Sequence, residues 1–107
     1  MYAVHISIKV QNQLAKKSII LSLKDWSHHL FQKENGLILR IFMDKAENQI
    51  DIFHVFENKA LMEKVRRESS NEFWDQIKEM GGQVSRFDGV SEVEMTKNFK
   101  DYEINFK

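Results

Sequence analysis

Hydrophobic and polar residues alternate along the first ten positions of the chain. A period of two places every second side chain on the same face of a β-strand. Residues 2–10 are therefore predicted to form a strand with one apolar face and one polar face. The apolar row consists of Val4, Ile6, Ile8 and Val10.

The next segment, residues 11–33, fits two secondary structures. One is a single long helix that ends at Asn35-Gly36, a pair suited to the left-handed conformation. In the other, residues 18–24 form a strand and a short helix begins at Asp25 as N-cap. We favour the long helix, because it gathers the apolar residues into one stripe. That stripe consists of Ile19, Leu23, Trp26 and Leu30.

Two further strands are predicted in the middle of the chain. Residues 37–44 are almost continuously apolar, as is typical of a central strand covered on both faces. Residues 50–56 are rich in β-branched and aromatic side chains, which favours a half-buried strand. Since the polar connection between them is short, we expect an antiparallel hairpin.

A helix with an interruption is predicted after the hairpin. Asn58 is a suitable N-cap, because its side-chain oxygen can accept a hydrogen bond from a free amide of the first turn. Ser69 and Glu72 have the spacing of a capping box, which predicts a kink or a restart there. The pair Gly81-Gly82 can supply the left-handed residue that ends a helix.

The last quarter of the chain is predicted to contain a loop at residues 83–90 and a fourth strand at residues 91–99. Residues 100–107 alternate again and would form a short fifth strand or an extension exchanged between subunits. The order βαββαβ is that of a ferredoxin-like α+β domain, with an antiparallel sheet and both helices on one face. Residues 1–107 would form one such domain. Because the other face also needs cover, we expect a homodimer.

Composition and charge narrow the classes of function. Sixteen basic residues balance sixteen acidic ones, which argues against a partner such as nucleic acid or a membrane surface. The absence of cysteine from the sequence excludes disulfides and thiolate chemistry. No apolar stretch has the length of a membrane span, and the first residues do not resemble a signal peptide. We therefore expect a cytoplasmic protein.

His5 and His54 fall on strands that would be neighbours at the centre of a ferredoxin-like sheet. Two imidazoles in one pocket could act as general base and general acid near neutral pH. The alternative is that each is a hydrogen-bonded histidine of the sheet. No third ligand lies at a diagnostic spacing for zinc, so no metal site is predicted.

Arg40 interrupts an apolar strand, where a buried charge is costly without a partner. It is predicted either to bind an anionic group of a ligand or to form an ion pair, with Glu92 or Glu94 or with the partner subunit. Aromatic side chains at helical positions would either line a substrate pocket between helices and sheet or belong to the core. These candidates are Trp26, Phe73 and Trp74.

The sequence Val55-Phe56-Glu-Asn-Lys-Ala-Leu-Met, followed by Ser70-Asn-Glu-Phe73-Trp74, resembles the third strand and second helix of dimeric α/β-barrel proteins of the antibiotic-biosynthesis-monooxygenase type. This resemblance implies a homodimeric α/β barrel and a cofactor-independent monooxygenase that acts on a small aromatic molecule. Such enzymes need no metal or flavin, because an electron-rich aromatic substrate reacts with oxygen once it is deprotonated and desolvated.

A related branch of these proteins degrades haem with an Asn on the first strand and a Trp and a His on the second helix. The corresponding positions here hold Ser7 or His5, Val65 and Asp75, which argues against haem degradation. Two alternatives to an oxygenase stay open, namely a non-catalytic homodimer that binds a small molecule and a structural or interaction module. A cavity between sheet and helices would distinguish the module from the other two.

Overall fold

The computed structural model describes residues 1–31, 35–69 and 71–92, with side chains in the first helix as far as Asp25. No helix among these residues is long and apolar enough to cross a membrane. The elements, in chain order, are β1 (Tyr2–Lys9), α1 (Gln13–Phe31), β2 (Leu37–Ala46), β3 (Gln49–Phe56), α2 (Lys59–Glu68), α3 (Glu72–Glu79) and β4 (Gln83–Val90).

The four strands form one antiparallel sheet in the order β2-β3-β1-β4. The pairing of β1 with β3 runs from Tyr2 opposite Phe56 to Lys9 opposite Gln49. This register places the apolar row of β1 and alternate residues of β3 on one face of the sheet. Buried residues of all three helices pack against that face, and the ferredoxin-like prediction is confirmed. The largest fully buried side chains among the described residues are Ile8, Ile19, Leu23, Ile50, Ile52 and Ile77.

Residues 13–31 form one continuous helix, so the prediction of a long helix is confirmed and the alternative strand at residues 18–24 is wrong. Its start is stabilised by Asn12, whose Oδ1 accepts a hydrogen bond of 2.8 Å from the Ala15 amide. Ile19 and Leu23 are four residues apart and both are buried. Helical spacing therefore decided the structure of this segment.

The hairpin of β2 and β3 is confirmed, but among the described strands β2 lies at an edge of the sheet and not at its centre. Its side chains Ile41 and Met43 are nearly half exposed. They lie on the sheet face opposite the helices, together with Phe87 of β4. We call this surface the open face. The sequence of β2 is apolar on both sides because the open face is itself partly apolar. A strand that is apolar on both sides is typical of the centre of a sheet, which is why the sequence predicted a central strand.

Residues 83–90 are strand β4, which pairs with β1 along its whole length, so the predicted loop is wrong. Asp88-Gly89 suggested a turn. Gly89 has no positive φ, however, so the chain continues as an extended strand through it. The predicted fourth strand at residues 91–99 is also misplaced, because Ser91 and Glu92 follow β4 without regular structure. The rest of that segment and residues 100–107 lie outside the described residues.

The predicted interruption of the second helix is confirmed, but its cause is different. Ser69 ends α2, where its backbone amide and its Oγ both donate to the Val65 carbonyl. It is therefore not the N-cap of a capping box. Asn71 precedes α3 and its side chain makes no capping hydrogen bond. At the start of α2, Asn58 Oδ1 accepts from the Leu61 amide at 2.9 Å, as predicted.

The glycine pair ends α3 as predicted. Gly81 has a φ of 79°, in the left-handed region that favours glycine. The amide of Gly82 donates to the Ile77 carbonyl at 2.9 Å. The chain then turns directly into β4, which brings that strand beneath α3.

A cavity between the sheet and helices α2 and α3

A cavity of about 470 Å³ lies between the helix-covered face of the sheet and the helices α2 and α3. This volume is in the range of ordinary small-molecule sites. Ser69 and Asn71, which flank the break between the two helices, both line it. The break between α2 and α3 therefore lies at the edge of the cavity. The apolar part of the lining includes Val4, Ile6, Phe56, Met62, Trp74 and Val84.

His54 is the buried titratable residue of this cavity, with 6% of its surface exposed. It lies opposite Val4 of β1 and opposite Arg40 of β2. Its Nε2 is buried and has no hydrogen-bond partner among the residues that the structure describes. Burial and, to a smaller extent, the charges of Arg40 and Arg86 together lower the pKa of His54 to about 3. The imidazole is therefore neutral at physiological pH.

Arg86 of β4 lines the cavity on the other side of β1. Its Nη2 contacts Met62 Sδ at 3.1 Å and Asp88 Oδ2 at 3.5 Å. Its Nε is buried, with no hydrogen-bond partner in the described part of the chain. Burial and the nearby charge of Arg66 lower the pKa of Arg86, and the Asp88 carboxylate opposes that shift. The guanidinium remains charged, since the unperturbed pKa of arginine is far above neutral.

His5 lies on the open face, so the two predicted catalytic histidines do not share a pocket. It pairs with Phe53, the residue next to His54 on β3. Because successive residues of a strand point to opposite faces, His5 and His54 lie on opposite faces of the sheet. Its ring stacks on Phe53 with centroids 4.4 Å apart. Its Nε2 is 2.9 Å from Asp51 Oδ2. This position makes His5 the hydrogen-bonded histidine of a sheet.

Asp51 joins the polar residues of the open face. Its other oxygen accepts from Ser7 Oγ at 2.9 Å and from Gln49 Nε2 at 3.2 Å. Burial raises the pKa of Asp51, but the hydrogen bonds from His5, Ser7 and Gln49, together with the charge of Lys45, outweigh burial and hold that pKa below its usual value. The cluster is a satisfied network that connects β1 to β3.

Arg40 lies on the helix-covered face of β2 but is not among the described residues that line the cavity. Its guanidinium lies 4.9 Å from the centre of the Phe42 ring, and burial lowers its pKa to about 10. The topology does not favour the predicted ion pair with Glu92, because β2 and β4 are opposite edges of the sheet. Glu94 is outside the described residues. Arg40 affects the cavity through its charge, which lowers the pKa of the neighbouring His54.

Of the predicted aromatic residues, Trp74 lines the cavity. Phe73 packs against the core and makes an edge contact with Trp74, with ring centroids 5.0 Å apart. It therefore supports Trp74 and is not among the described lining residues. The side chain of Trp26 lies outside the described part of α1.

Several polar residues of the cavity were not predicted from the sequence. Arg86 was overlooked because Asp88-Gly89 indicates a turn, although Val84, Phe87 and Val90 gave a weak strand signal. The others are Arg66, Asp75 and Lys78, whose charges are typical of a solvated helix face. Among the described residues, no three side chains of the types His, Asp and Glu are grouped as a metal site.

The sheet order, the helical layer on one face and the cavity beneath it define the ferredoxin-like fold that antibiotic biosynthesis monooxygenases also have. The resemblance of fold predicted from the sequence is thereby confirmed. No protein-family model matches the chain. No curated protein matches the chain significantly.

Three solved structures illustrate this similarity. A dimeric ferredoxin-like protein from an uncultured marine organism is 15% identical, with a TM-score of 0.71 over 91% of this chain and 100% of its own. A variant of SnoaB, a cofactor-independent oxygenase from Streptomyces nogalater, is 7% identical, with a TM-score of 0.69 over 90% and 97%. A monooxygenase from Streptomyces coelicolor in complex with nanaomycin D is 6% identical, with a TM-score of 0.62 over 89% and 92%. At these identities the similarity concerns the fold alone.

Proposed function

We propose that this chain binds a small hydroxylated aromatic molecule in the cavity and oxidises it as a cofactor-independent monooxygenase. The observation that carries the proposal is the buried Nε2 of His54, which lies at the cavity without a partner among the described residues. A buried polar atom without a partner is costly. A hydroxyl group of a bound ligand would satisfy it, while Trp74 and the apolar lining would pack against the ring.

In the proposed reaction, neutral His54 accepts the proton of the substrate hydroxyl. The low pKa of His54 makes it a weak base in the empty cavity. The same positive charges that lower this pKa would also stabilise a phenolate bound nearby and favour its formation. A phenolate beside the imidazolium would in turn raise the pKa of His54. Proton transfer within this pair is therefore more favourable than the pKa of the empty site suggests.

The deprotonated ring then supplies the electrons that reduce O₂, so the reaction needs no electrons from a cofactor. For a phenol with hydrogen at the para position, that C–H bond breaks and a new C=O bond forms with one atom of O₂. The ring becomes a quinone. The other oxygen atom leaves as water with two hydrogens from the substrate, so the substrate supplies all four electrons. The apolar lining would exclude water while the phenolate reacts.

A second candidate function is binding without catalysis. It is favoured by one specific observation, namely that a pKa of about 3 leaves His54 a poor proton acceptor unless the ligand alters it. In that case His54 would hold the ligand only by a hydrogen bond. Both functions use the same cavity, and they differ in whether oxygen is consumed.

We also propose that two copies of the chain associate through their open faces. The open face carries the exposed side chains Ile41, Met43 and Phe87. Phe53 and the stacked ring of His5 lie between Ile41 and Phe87 in the register, and a row of this kind favours association. The marine ferredoxin-like protein of the same fold is described as dimeric. Association of this kind would leave each cavity on the far side of its own sheet.

The oxygenase proposal is tested by oxygen uptake with 1-naphthol, whose para position carries hydrogen. We expect the wild type to consume one O₂ for each naphthoquinone formed. The rate of a His54→Gln variant should be lower by a factor of at least about 100, as is typical for loss of a general base. The matched control is His5→Gln, which removes the histidine on the opposite face and should leave the rate unchanged.

The outcomes separate the candidates. Binding of 1-naphthol without oxygen uptake would select the non-catalytic function. Equal rates in wild type and the His54→Gln variant would contradict the role of His54. Circular dichroism of all three proteins shows whether a lost rate is merely a lost fold.

A further inference from the structure

Positive charge is concentrated at the cavity, although the whole chain has sixteen basic and sixteen acidic residues. Of the described lining residues, Arg66, Lys78 and Arg86 are basic and Asp75 alone is acidic. Since His54 is neutral there, the lining carries a net positive charge. A cleft with walls of low polarity focuses such a charge and attracts anions.

Arg86 is the basic residue of this group that is anchored on the sheet. Its Nη2 contacts a thioether sulfur, which is a weak acceptor, and the Asp88 carboxylate at 3.5 Å. Its Nε is buried without a partner among the described residues. The planar guanidinium can therefore donate from Nε to one oxygen of a carboxylate, with a terminal nitrogen donating to the second oxygen.

The strand register separates Arg86 from His54. His54 lies opposite Val4, Arg86 lies opposite Ile6, and β1 runs between their two strands. Ideal strand spacing puts their Cα atoms roughly 12 Å apart. Both side chains line the same cavity, so a ligand that contacts both needs two polar groups at separate positions on its ring system.

We propose that the ligand is an aromatic acid, with a hydroxyl group held at His54 and a carboxylate held by Arg86. This inference rests on the proposed function, because it names the substrate class of the same cavity. Trp74 and the apolar lining contact the rings between the two polar ends. Arg66 and Lys78, which are exposed on the helices, add to the positive field that draws the acid in.

The test compares two probes with the same rings, 6-hydroxy-2-naphthoate and 2-naphthol, by isothermal titration at low salt. Wild type should bind the acid on the order of tenfold or more tightly than the naphthol, as expected for hydrogen bonds to a charged group. Arg86→Gln should abolish this preference, because it lowers the affinity for the acid much more than the affinity for 2-naphthol. Arg67→Gln removes an exposed neighbouring charge on α2 that is not among the described lining residues, and it should retain the preference.

The results distinguish this inference from the proposed function. Equal affinity of wild type for both probes would overturn the aromatic acid and leave the binding cavity intact. Binding of neither probe would overturn both proposals. A preference that survives in Arg86→Gln would overturn the role of Arg86. If Arg86→Gln does not fold, Arg86→Lys replaces it, and loss of most of the preference despite the retained charge supports the bidentate contact.

Discussion

Arg40 and His54 occupy directly opposed positions on β2 and β3, and both lie on the face of the sheet that the helices cover. A guanidinium beside a buried imidazole disfavours protonation of the imidazole. Arg40 is itself buried enough for its pKa to fall to about 10, so it stays charged at neutral pH. Burial and, to a smaller extent, the charge of Arg40 therefore keep His54 neutral.

The stability of the fold should fall as the pH decreases from about 6.5 towards 3, because of His54. The ordinary pKa of 6.5 is lowered to about 3 in the folded state, so between these values the unfolded chain binds a proton that the folded chain does not. At pH 5 this linkage amounts to roughly 2 kcal/mol. Urea unfolding of wild type and His54→Gln at pH 7.5 and pH 5 measures it.

The comparison with His54→Gln cancels the contribution of all other titrating groups, because both proteins contain them. Wild type should lose roughly 2 kcal/mol more than His54→Gln between the two pH values. Equal losses in both proteins would show that His54 is not held neutral by its surroundings.

The Asp51 network on the open face should also contribute to stability, but in a different pH range. Asp51→Asn weakens the charge-assisted hydrogen bonds from His5 and Ser7, and we expect a cost of about 1 kcal/mol at pH 7. Because the pKa of Asp51 is lowered by folding, this contribution is present above the unfolded pKa. It is lost as the pH falls through the folded pKa.

Denaturation of wild type and Asp51→Asn at pH 7 and pH 3 measures this difference. The control is Asp25→Asn, which changes an exposed carboxylate of α1. It should cost much less at either pH. A difference between wild type and Asp51→Asn that does not shrink at pH 3 would argue against the charged network.

Local signals in the sequence predicted β1, α1 and the break after α2, because each depends on neighbouring residues. The apolar period of two gave β1, and the helical spacing of Ile19 and Leu23 gave α1. The edge position of β2 and the pairing of β4 were not predictable in this way. They depend on contacts between distant parts of the chain, and Asp88-Gly89 has the local composition of a turn.

The site was predicted in part for the same reason. His54 and Trp74 stand out as residue types, and both line the cavity. The face of each histidine was not predictable, because a shift of one residue in the register reverses every side chain of a strand. Arg86 was overlooked together with its strand. The charge of the cavity became apparent only when three elements were brought together.

The turn between α1 and β2 provides a further test of the fold. Gly36 has a φ of 78°, and a Cβ placed there would lie 2.5 Å from Leu61 Cδ1. Gly36→Ala combines a strained backbone with a clash against α2, and it should destabilise the protein by at least about 1 kcal/mol. Thermal unfolding followed by circular dichroism measures it.

The matched control is Gly89→Ala on β4, where a Cβ would meet no atom within 4 Å. This variant should unfold close to the wild-type temperature. Equal melting temperatures for Gly36→Ala and wild type would contradict the left-handed turn.

Phe87 tests the proposed association of two chains. It is 69% exposed on the open face, and Leu21 is 70% exposed on α1, away from that face. In a symmetric dimer each substitution acts twice. If Phe87 is buried there, Phe87→Asp should raise the dissociation constant by about 100-fold or more, and Leu21→Asp should not. Sedimentation equilibrium measures both, and a dimer that tolerates Phe87→Asp as well as Leu21→Asp would place the interface elsewhere on the molecule.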